Sequence, residues 1–124
     1  MIKSGKSADE SGSPIVLHLE GLKLPAVAQQ TLYRIVAGYR PQRVIVYGSF
    51  ARDDVHERSD LDLIVVKHTD ERFIDRIGRV LEFCDGEMVV EPLVYTQDEI
   101  DMMLEEGNTF LESALEEGVV VYEA

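Results

Sequence analysis

The chain has 124 residues, a formal net charge of −12 and one cysteine, and these three properties exclude several classes of protein. A chain of this length suits a single domain that buries about two-thirds of its unfolded surface. One cysteine excludes an internal disulfide. With 24 acidic residues against 12 basic ones, and no basic run, independent binding to nucleic acid is not expected.

No apolar run is long enough to cross a membrane, and the first residues lack the apolar segment of a signal peptide. We therefore expect a cytoplasmic protein without a membrane partner. Residues 1–13 are rich in Ser, Gly and charge, which predicts a disordered tail ahead of a single domain at 14–124. The apolar run at 14–19 could add an edge strand.

The first half of the domain reads as a helix followed by a strand. Apolar residues at helical spacing predict a helix over 26–39, which Pro41 ends. Residues 43–47 are apolar and rich in β-branched side chains, which is typical of a strand covered on both faces.

A Gly-Ser turn follows that strand. Gly48 allows a sharp turn and close approach of the backbone to a ligand. If a helix begins near Ser49, its free N–H groups would form an anion site. Ser after Gly is also ordinary turn chemistry. Arg52 and Arg58 are candidate phosphate contacts, although we favour plain surface exposure for Arg52.

Two carboxylates open the next apolar run, which predicts a strand over 61–66. Because side chains alternate along a strand, Asp60 and Asp62 share a face with Ile64. Two carboxylates about 4 Å apart repel by roughly 4 kcal/mol at an effective dielectric constant near 20. A cation such as Mg²⁺, which takes one or two carboxylates, would relieve this repulsion. In the structural alternative, Asp60 caps a turn and Asp62 binds backbone N–H groups.

The second half continues the alternation of helices and strands. Thr69 is predicted to be the N-cap of a helix, and Gly86 follows the end of that helix. That helix carries an apolar stripe made of Phe73, Ile74, Ile77, Val80, Leu81 and Cys84. A strand is predicted over 88–95, at an edge or broken at Pro92.

Two short helices and a last strand complete the predicted elements. Thr96 and Glu99 form a capping-box pattern for a helix that stops at Gly107. Asn108 caps a final helix, whose acids Glu112, Glu116 and Glu117 are predicted to form a solvated face. A short strand follows at 119–122. This order predicts a layered α/β sheet.

Three motifs together resemble a known family. They are Gly48-Ser49-x-Ala51-Arg52, Ser59-Asp60-x-Asp62-Leu63, and Glu91 four residues before Tyr95-Thr96. This set is similar to the signature of the minimal nucleotidyltransferases of the DNA polymerase beta-like superfamily. The resemblance covers roughly residues 25–122 and implies a small mixed sheet with helices packed on it, an α/β (α+β) fold.

The resemblance also implies an activity and a set of roles. It implies transfer of a nucleoside monophosphate, with ATP as the expected donor, to an acceptor hydroxyl. Asp60 and Asp62 would hold Mg²⁺, with two ions possible, and Glu91 would bind a second ion or accept a proton. Gly48 and Ser49 would contact the phosphates of the nucleotide, and Arg58 is a further candidate for nucleotide binding. Many short members of the family pair with a HEPN-family toxin, which makes such a protein a candidate partner and acceptor; homo-oligomerisation stays open.

A second hypothesis is a protein-binding module that is catalytically weak or inactive and acts by covering the surface of its partner. Asp53 stands where the family often has Gly, and Glu91 stands where Asp is usual. Asp53 and Asp54 add negative charge near the expected triphosphate. For Glu91, an edge-strand charge that prevents aggregation is as good an interpretation as a metal ligand.

Overall fold

The structure is a computed structural model that describes residues 14–54 and 60–124. In these two ranges the chain forms four α-helices, four strands and a short 3₁₀ turn. The helices are α1 (Ala26–Tyr39), α2 (Phe73–Leu81), α3 (Gln97–Glu105) and α4 (Thr109–Glu117). The strands are β1 (Arg43–Tyr47), β2 (Leu61–Val66), β3 (Val90–Tyr95) and β4 (Val119–Glu123), and the 3₁₀ turn is Gly48–Phe50.

The strands form one mixed sheet in the order β3-β2-β1-β4. Strand β1 is antiparallel to both β2 and β4, whereas β2 and β3 are parallel. The expected small mixed α/β sheet is therefore confirmed. Strand β3 lies at an edge of the described sheet, as Pro92 predicts, because proline has no N–H to donate to a second neighbour.

Apolar side chains from the two faces of the sheet build two cores. Val44, Leu63 and Val65 face α1 and α2 in the larger core. Ile45, Ile64 and Val66 point the other way and pack against Ile100 of α3 and against Leu111 and Ala114 of α4. Helices therefore cover both faces, which explains why β1 and β2 read as continuous apolar runs.

Helix α2 differs from its prediction in the residue at which it begins and in the side chains that it buries. It begins at Phe73 rather than near Thr69, because the Thr69 hydroxyl accepts a hydrogen bond from the Glu71 N–H in a local turn. Half of the predicted apolar stripe is also exposed, namely Phe73, Ile74 and Leu81, and Ile74 keeps 65% of its surface accessible. The buried residues of α2 are Val80 and, unexpectedly, Arg76.

Arg76 is buried because acceptors surround its guanidinium. Its Nη1 and Nη2 atoms donate to the two carboxylate oxygens of Glu99, at 2.7 and 3.1 Å. Nη1 also donates to the Val94 carbonyl at 3.2 Å, and Nε donates to the Glu71 carbonyl at 2.8 Å. This arginine therefore joins α2, β3 and the first turn of α3.

The remaining elements follow the predictions closely. The capping box at Thr96 and Glu99 is present, and the Asn108 side chain accepts from the Leu111 N–H. Strand β3 is shorter than predicted, since it begins at Val90 rather than at 88.

Two further expectations concern the larger core and the membrane. Residues 14–19 form no strand; their apolar side chains pack on the larger core, and His18 N–H donates to the Val121 carbonyl at 2.7 Å. Cys84 is partly buried against the same core. No helix among the described residues is long and apolar enough to span a membrane.

Replacing Glu99 by Ala tests the role of the Arg76–Glu99 pair. The change removes the capping carboxylate and leaves a buried guanidinium without its anion, so the free energy of unfolding should fall by about 3 kcal/mol. Hydrogen bonds from Arg76 lower the pKa of Glu99, so its stabilising contribution is lost as the pH falls through that lowered value.

Urea denaturation of Glu99→Ala, with the exposed Asp98→Ala as the matched first-turn control, measures this loss. Equal losses in the two variants at neutral pH would contradict a specific role for Glu99.

Candidate functional site

The sheet register places polar side chains in a row across three strands. Asp62 of β2 pairs with Tyr47 of β1 on one side and with Glu91 of β3 on the other. Residues paired in this way project their side chains on the same face of a sheet. Asp60 lies two residues before Asp62 and belongs to that face as well. The row continues the face of Ile64, beyond the point where α3 and α4 cover it.

The three predicted acids interact with one another. Burial raises the pKa of Asp62, and the negative charge of Asp60 raises it further, while a hydrogen bond with Glu91 acts in the opposite direction. Hydrogen bonding to Asp60 is the largest cause that raises the pKa of Glu91, followed by burial and the charges of both aspartates. The site is therefore electrostatically crowded at neutral pH.

The donor set has the chemistry that a hard divalent cation requires. Within residues 14–54 and 60–124, no three acidic, histidine or cysteine side chains form a ready metal cage. Mg²⁺ usually takes only one or two carboxylates and completes its shell with phosphate and water. Asp60 and Asp62 supply that number of carboxylates on one face, and a cation would relieve the repulsion between them, which contributes to the raised pKa of Asp62.

Gly48 brings the backbone against this row. Its φ of 78° lies in the left-handed region, and a Cβ atom at this position would overlap the Asp62 carboxylate. Only glycine fits, because the positive φ and the close approach both disfavour a side chain. Gly48 is thus in direct contact with Asp62, as the predicted site requires.

The turn at Gly48 is shorter than the helix expected there. It is one 3₁₀ turn, and Ser49 lies partly exposed within it. Asp53 ends the turn with a φ of 59°, a conformation that a right-handed helix cannot continue. Between Gly48 and residue 54, then, the chain forms no α-helix whose N-terminus could bind an anion. Asp53 itself pairs with exposed Lys23 at 3.5 Å.

A cleft of about 290 Å³ opens beside Gly48 and Asp62. Its described lining residues are Tyr47, Gly48, Arg52, Asp62, Phe110, Ser113, Ala114 and Glu117. The ring of Phe110 meets that of Tyr47 edge to face, with centroids 5.8 Å apart. Burial, followed by the nearby charge of Asp62, raises the pKa of Tyr47 to about 12, so its hydroxyl stays protonated at neutral pH.

Glu117 is the site residue that the sequence did not reveal. The expected solvated role is wrong for it, because its Oε2 atom accepts a hydrogen bond from Gly48 N–H at 3.0 Å. Its carboxylate also accepts hydrogen bonds of 3.3 Å from Arg52, so that arginine borders the cleft. Helix α4 ends at Glu117, and the pairing of Val119 with Val46 brings that end beside the turn.

The structure thus brings together Gly48, Asp60, Asp62 and Glu91, with Ser49 one residue from Gly48. Arg58, the other predicted nucleotide contact, lies outside the described residues. Roles for all of these residues stay predictions.

Gly48→Ala should destabilise the protein more than a glycine change that costs backbone strain alone. Gly107 supplies the matched control, since its φ is 79° and no atom lies near its would-be Cβ. Gly107→Ala should cost about 1 kcal/mol, and Gly48→Ala should cost about 1 kcal/mol more because Asp62 must move. Equal losses in urea denaturation would show that the contact with Asp62 is unimportant.

Asp62→Asn should stabilise the folded protein at pH 7. Because folding raises the pKa of Asp62, ionisation of this group destabilises the fold as the pH rises from its ordinary pKa through the raised one. A neutral isostere removes that cost, which is about 1 kcal/mol or less after allowing for solvent screening.

The gain should shrink as the pH falls below about 4. Asp70→Asn, an exposed acid past the opposite end of β2, controls for the change in net charge. A lower free energy of unfolding for Asp62→Asn than for wild type at pH 7 would contradict the conclusion that the charge of Asp62 destabilises the fold.

Comparisons with known proteins identify the family and the fold of the chain. A family model described as "Polymerase beta, Nucleotidyltransferase" matches residues 30–124. A crystal structure of a presumed nucleotidyltransferase from Sulfolobus solfataricus is similar in fold, with a TM-score of 0.52 and 22% identity over 76% of this chain and 75% of that one. No curated protein was found to match. The chain belongs to the polymerase beta nucleotidyltransferase family.

Proposed function

We propose that this protein transfers a nucleoside monophosphate from a nucleoside triphosphate, with ATP as the expected donor, to an acceptor hydroxyl. The observation that carries the proposal is the pairing of Asp62 with Glu91 on one sheet face, beside Gly48 and next to Asp60. Membership of a nucleotidyltransferase family supports the same reaction class.

Asp60 and Asp62 are the proposed ligands of Mg²⁺. Their oxygens lie on one face, and mutual repulsion favours a bound cation over an empty site. Bound there with the triphosphate, Mg²⁺ supplies charge neutralisation for an in-line displacement at phosphorus. Gly48 and Ser49 contribute backbone and hydroxyl groups that contact the phosphates.

Glu91 is the proposed proton acceptor, with a role as a further metal ligand as its alternative. A raised pKa makes a carboxylate a better base, and neighbouring acids raise that of Glu91. The acceptor hydroxyl gives its proton to Glu91 as its oxygen bonds to the α-phosphorus. The bond to the leaving pyrophosphate breaks in the same displacement.

The proposed acceptor is a hydroxyl on a protein partner. A chain of 124 residues has little surface with which to enclose a large acceptor, and a net charge of −12 disfavours a nucleic acid. A HEPN-family protein, with a tyrosine as the acceptor, is the partner that the resemblance of the motifs suggests.

One observation favours a second candidate, a binding module without transfer activity. Gly48 N–H, which a phosphate would need, already binds Glu117. A chain that keeps this contact permanently would act on a partner by occlusion alone.

Thermal unfolding with ATP, with and without MgCl₂, tests nucleotide binding. Nucleotide at 100 times its dissociation constant should add about 2.7 kcal/mol to the free energy of unfolding. The stabilisation should require MgCl₂, vanish in Asp60→Asn and persist in the control Asp70→Asn. Absence of any stabilisation of the wild-type chain would contradict the proposal.

Transfer is tested with ATP labelled at the α-phosphate and a HEPN-family protein that forms a complex with this chain. The enzyme hypothesis predicts label on that partner, lost in Asp60→Asn. A tight complex that acquires no label, and that Asp60→Asn leaves unchanged, would support the binding module.

A further inference from the structure

We propose that Glu117 is an internal competitor for the phosphate position beside Gly48, so that a triphosphate binds only after it displaces the Glu117 carboxylate. This inference rests on the proposed function, because it concerns the affinity of that site for its nucleotide. It assigns to Glu117 a role in setting affinity, and not in the transfer reaction itself.

The contacts of Glu117 are those that a phosphate oxygen would make. Its Oε2 atom lies 3.0 Å from the Gly48 nitrogen and 3.3 Å from Nη1 of Arg52. A backbone N–H at a left-handed glycine and a guanidinium form a typical anion site. The carboxylate that fills it is partly buried, since 28% of the Glu117 side chain is exposed compared with 51% of Arg52.

The charges in the cleft make simultaneous occupancy by Glu117 and a phosphate unfavourable. Among the described residues that line it, Arg52 is the one basic side chain, while Asp62 and Glu117 are acidic. A phosphate that entered beside Glu117 would face a like charge, and Gly48 N–H and Nη1 of Arg52 already donate to the Glu117 carboxylate. Displacement of Glu117 frees the Gly48 N–H and Arg52 together.

The backbone next to Glu117 is fixed, so displacement needs only rotation of the side chain. Gly118 N–H donates to the Ala114 carbonyl at 2.9 Å, and a Cβ at Gly118 would overlap that carbonyl and the Ile45 side chain. Glu117 also lies at the C-terminal end of α4, where the helix dipole disfavours an acid. The Glu117 carboxylate is thus held by its partners across the cleft. Its displacement should cost helix α4 little stability.

Competition of this kind weakens binding by the fraction of chains in which the site is open. If Glu117 occupies the position in about nine chains of ten, the apparent dissociation constant is about tenfold larger than the intrinsic one. Removal of the charge should therefore tighten binding, which is the opposite of the effect of removing a ligand or a metal-binding group.

The test is a titration of the full chain with ATP and with inorganic tripolyphosphate, each with MgCl₂. Glu117→Gln keeps an oxygen that can accept from Gly48 N–H but loses the charge, and it should bind both probes about tenfold more tightly than wild type. Glu116→Gln changes the net charge equally at the preceding, exposed position and controls for general electrostatics. Glu117→Asp keeps the charge with a shorter reach, and should also bind more tightly.

The outcomes separate this inference from the proposed function. If wild type binds the probes but Glu117→Gln binds them equally or more weakly, or gains no more than Glu116→Gln, the competitor role is wrong and the proposed function stands. If neither wild type nor Glu117→Gln binds ATP or tripolyphosphate, both are wrong. Thermal unfolding of each variant without nucleotide confirms that it is folded.

Discussion

The pairing of β2 with its two neighbours is the constraint on which the site depends. Ile64 and Val66 must face the core formed with α3 and α4, and this fixes which way every other side chain of β2 points. A slip of one residue would turn Asp62 toward α1 and α2 and would exchange the apolar side chains that β2 gives to the two cores. The same apolar contacts that stabilise the sheet therefore place Asp62 between Tyr47 and Glu91.

The site places a cluster of carboxylates beside a pair of groups that attract anions. Burial and the charge of Asp60 raise the pKa of Asp62, while hydrogen bonding to Asp60, burial and the charges of both aspartates raise the pKa of Glu91. A few ångströms away, Gly48 N–H and Arg52 offer a positive site that Glu117 neutralises. A metal-bound triphosphate carries both kinds of charge, so under the proposed function one ligand would satisfy both halves of the site.

The sequence predicts the parts of this arrangement that follow from local pattern. Alternation along β2 places Asp60, Asp62 and Ile64 on one face, and the family resemblance adds Glu91 from a strand almost thirty residues later. Helix caps at Thr96 and Asn108 follow from side chains that bind N–H groups only three residues away. Such short-range hydrogen bonds leave a clear mark on the sequence.

The features that the sequence does not reveal depend on contacts between distant residues. Glu117 looks like Glu112 and Glu116 in sequence, and only the packing of α4 against β1 brings it to Gly48, 69 residues away. Arg76 would be assigned to the surface by its charge, yet acceptors from three other segments make its burial favourable. With Arg76 inward, α2 turns residues such as Ile74 outward, contrary to its apolar pattern.

Titration with Mn²⁺ followed by amide NMR tests the central claim most directly. A paramagnetic ion held by Asp60 and Asp62 should first broaden the amide signals of Gly48, Asp62 and Glu91, and excess MgCl₂ should restore them. Broadening that begins instead at the exposed acids of α3 and α4, or that spreads evenly over this acidic chain, would contradict a metal site on the carboxylate row.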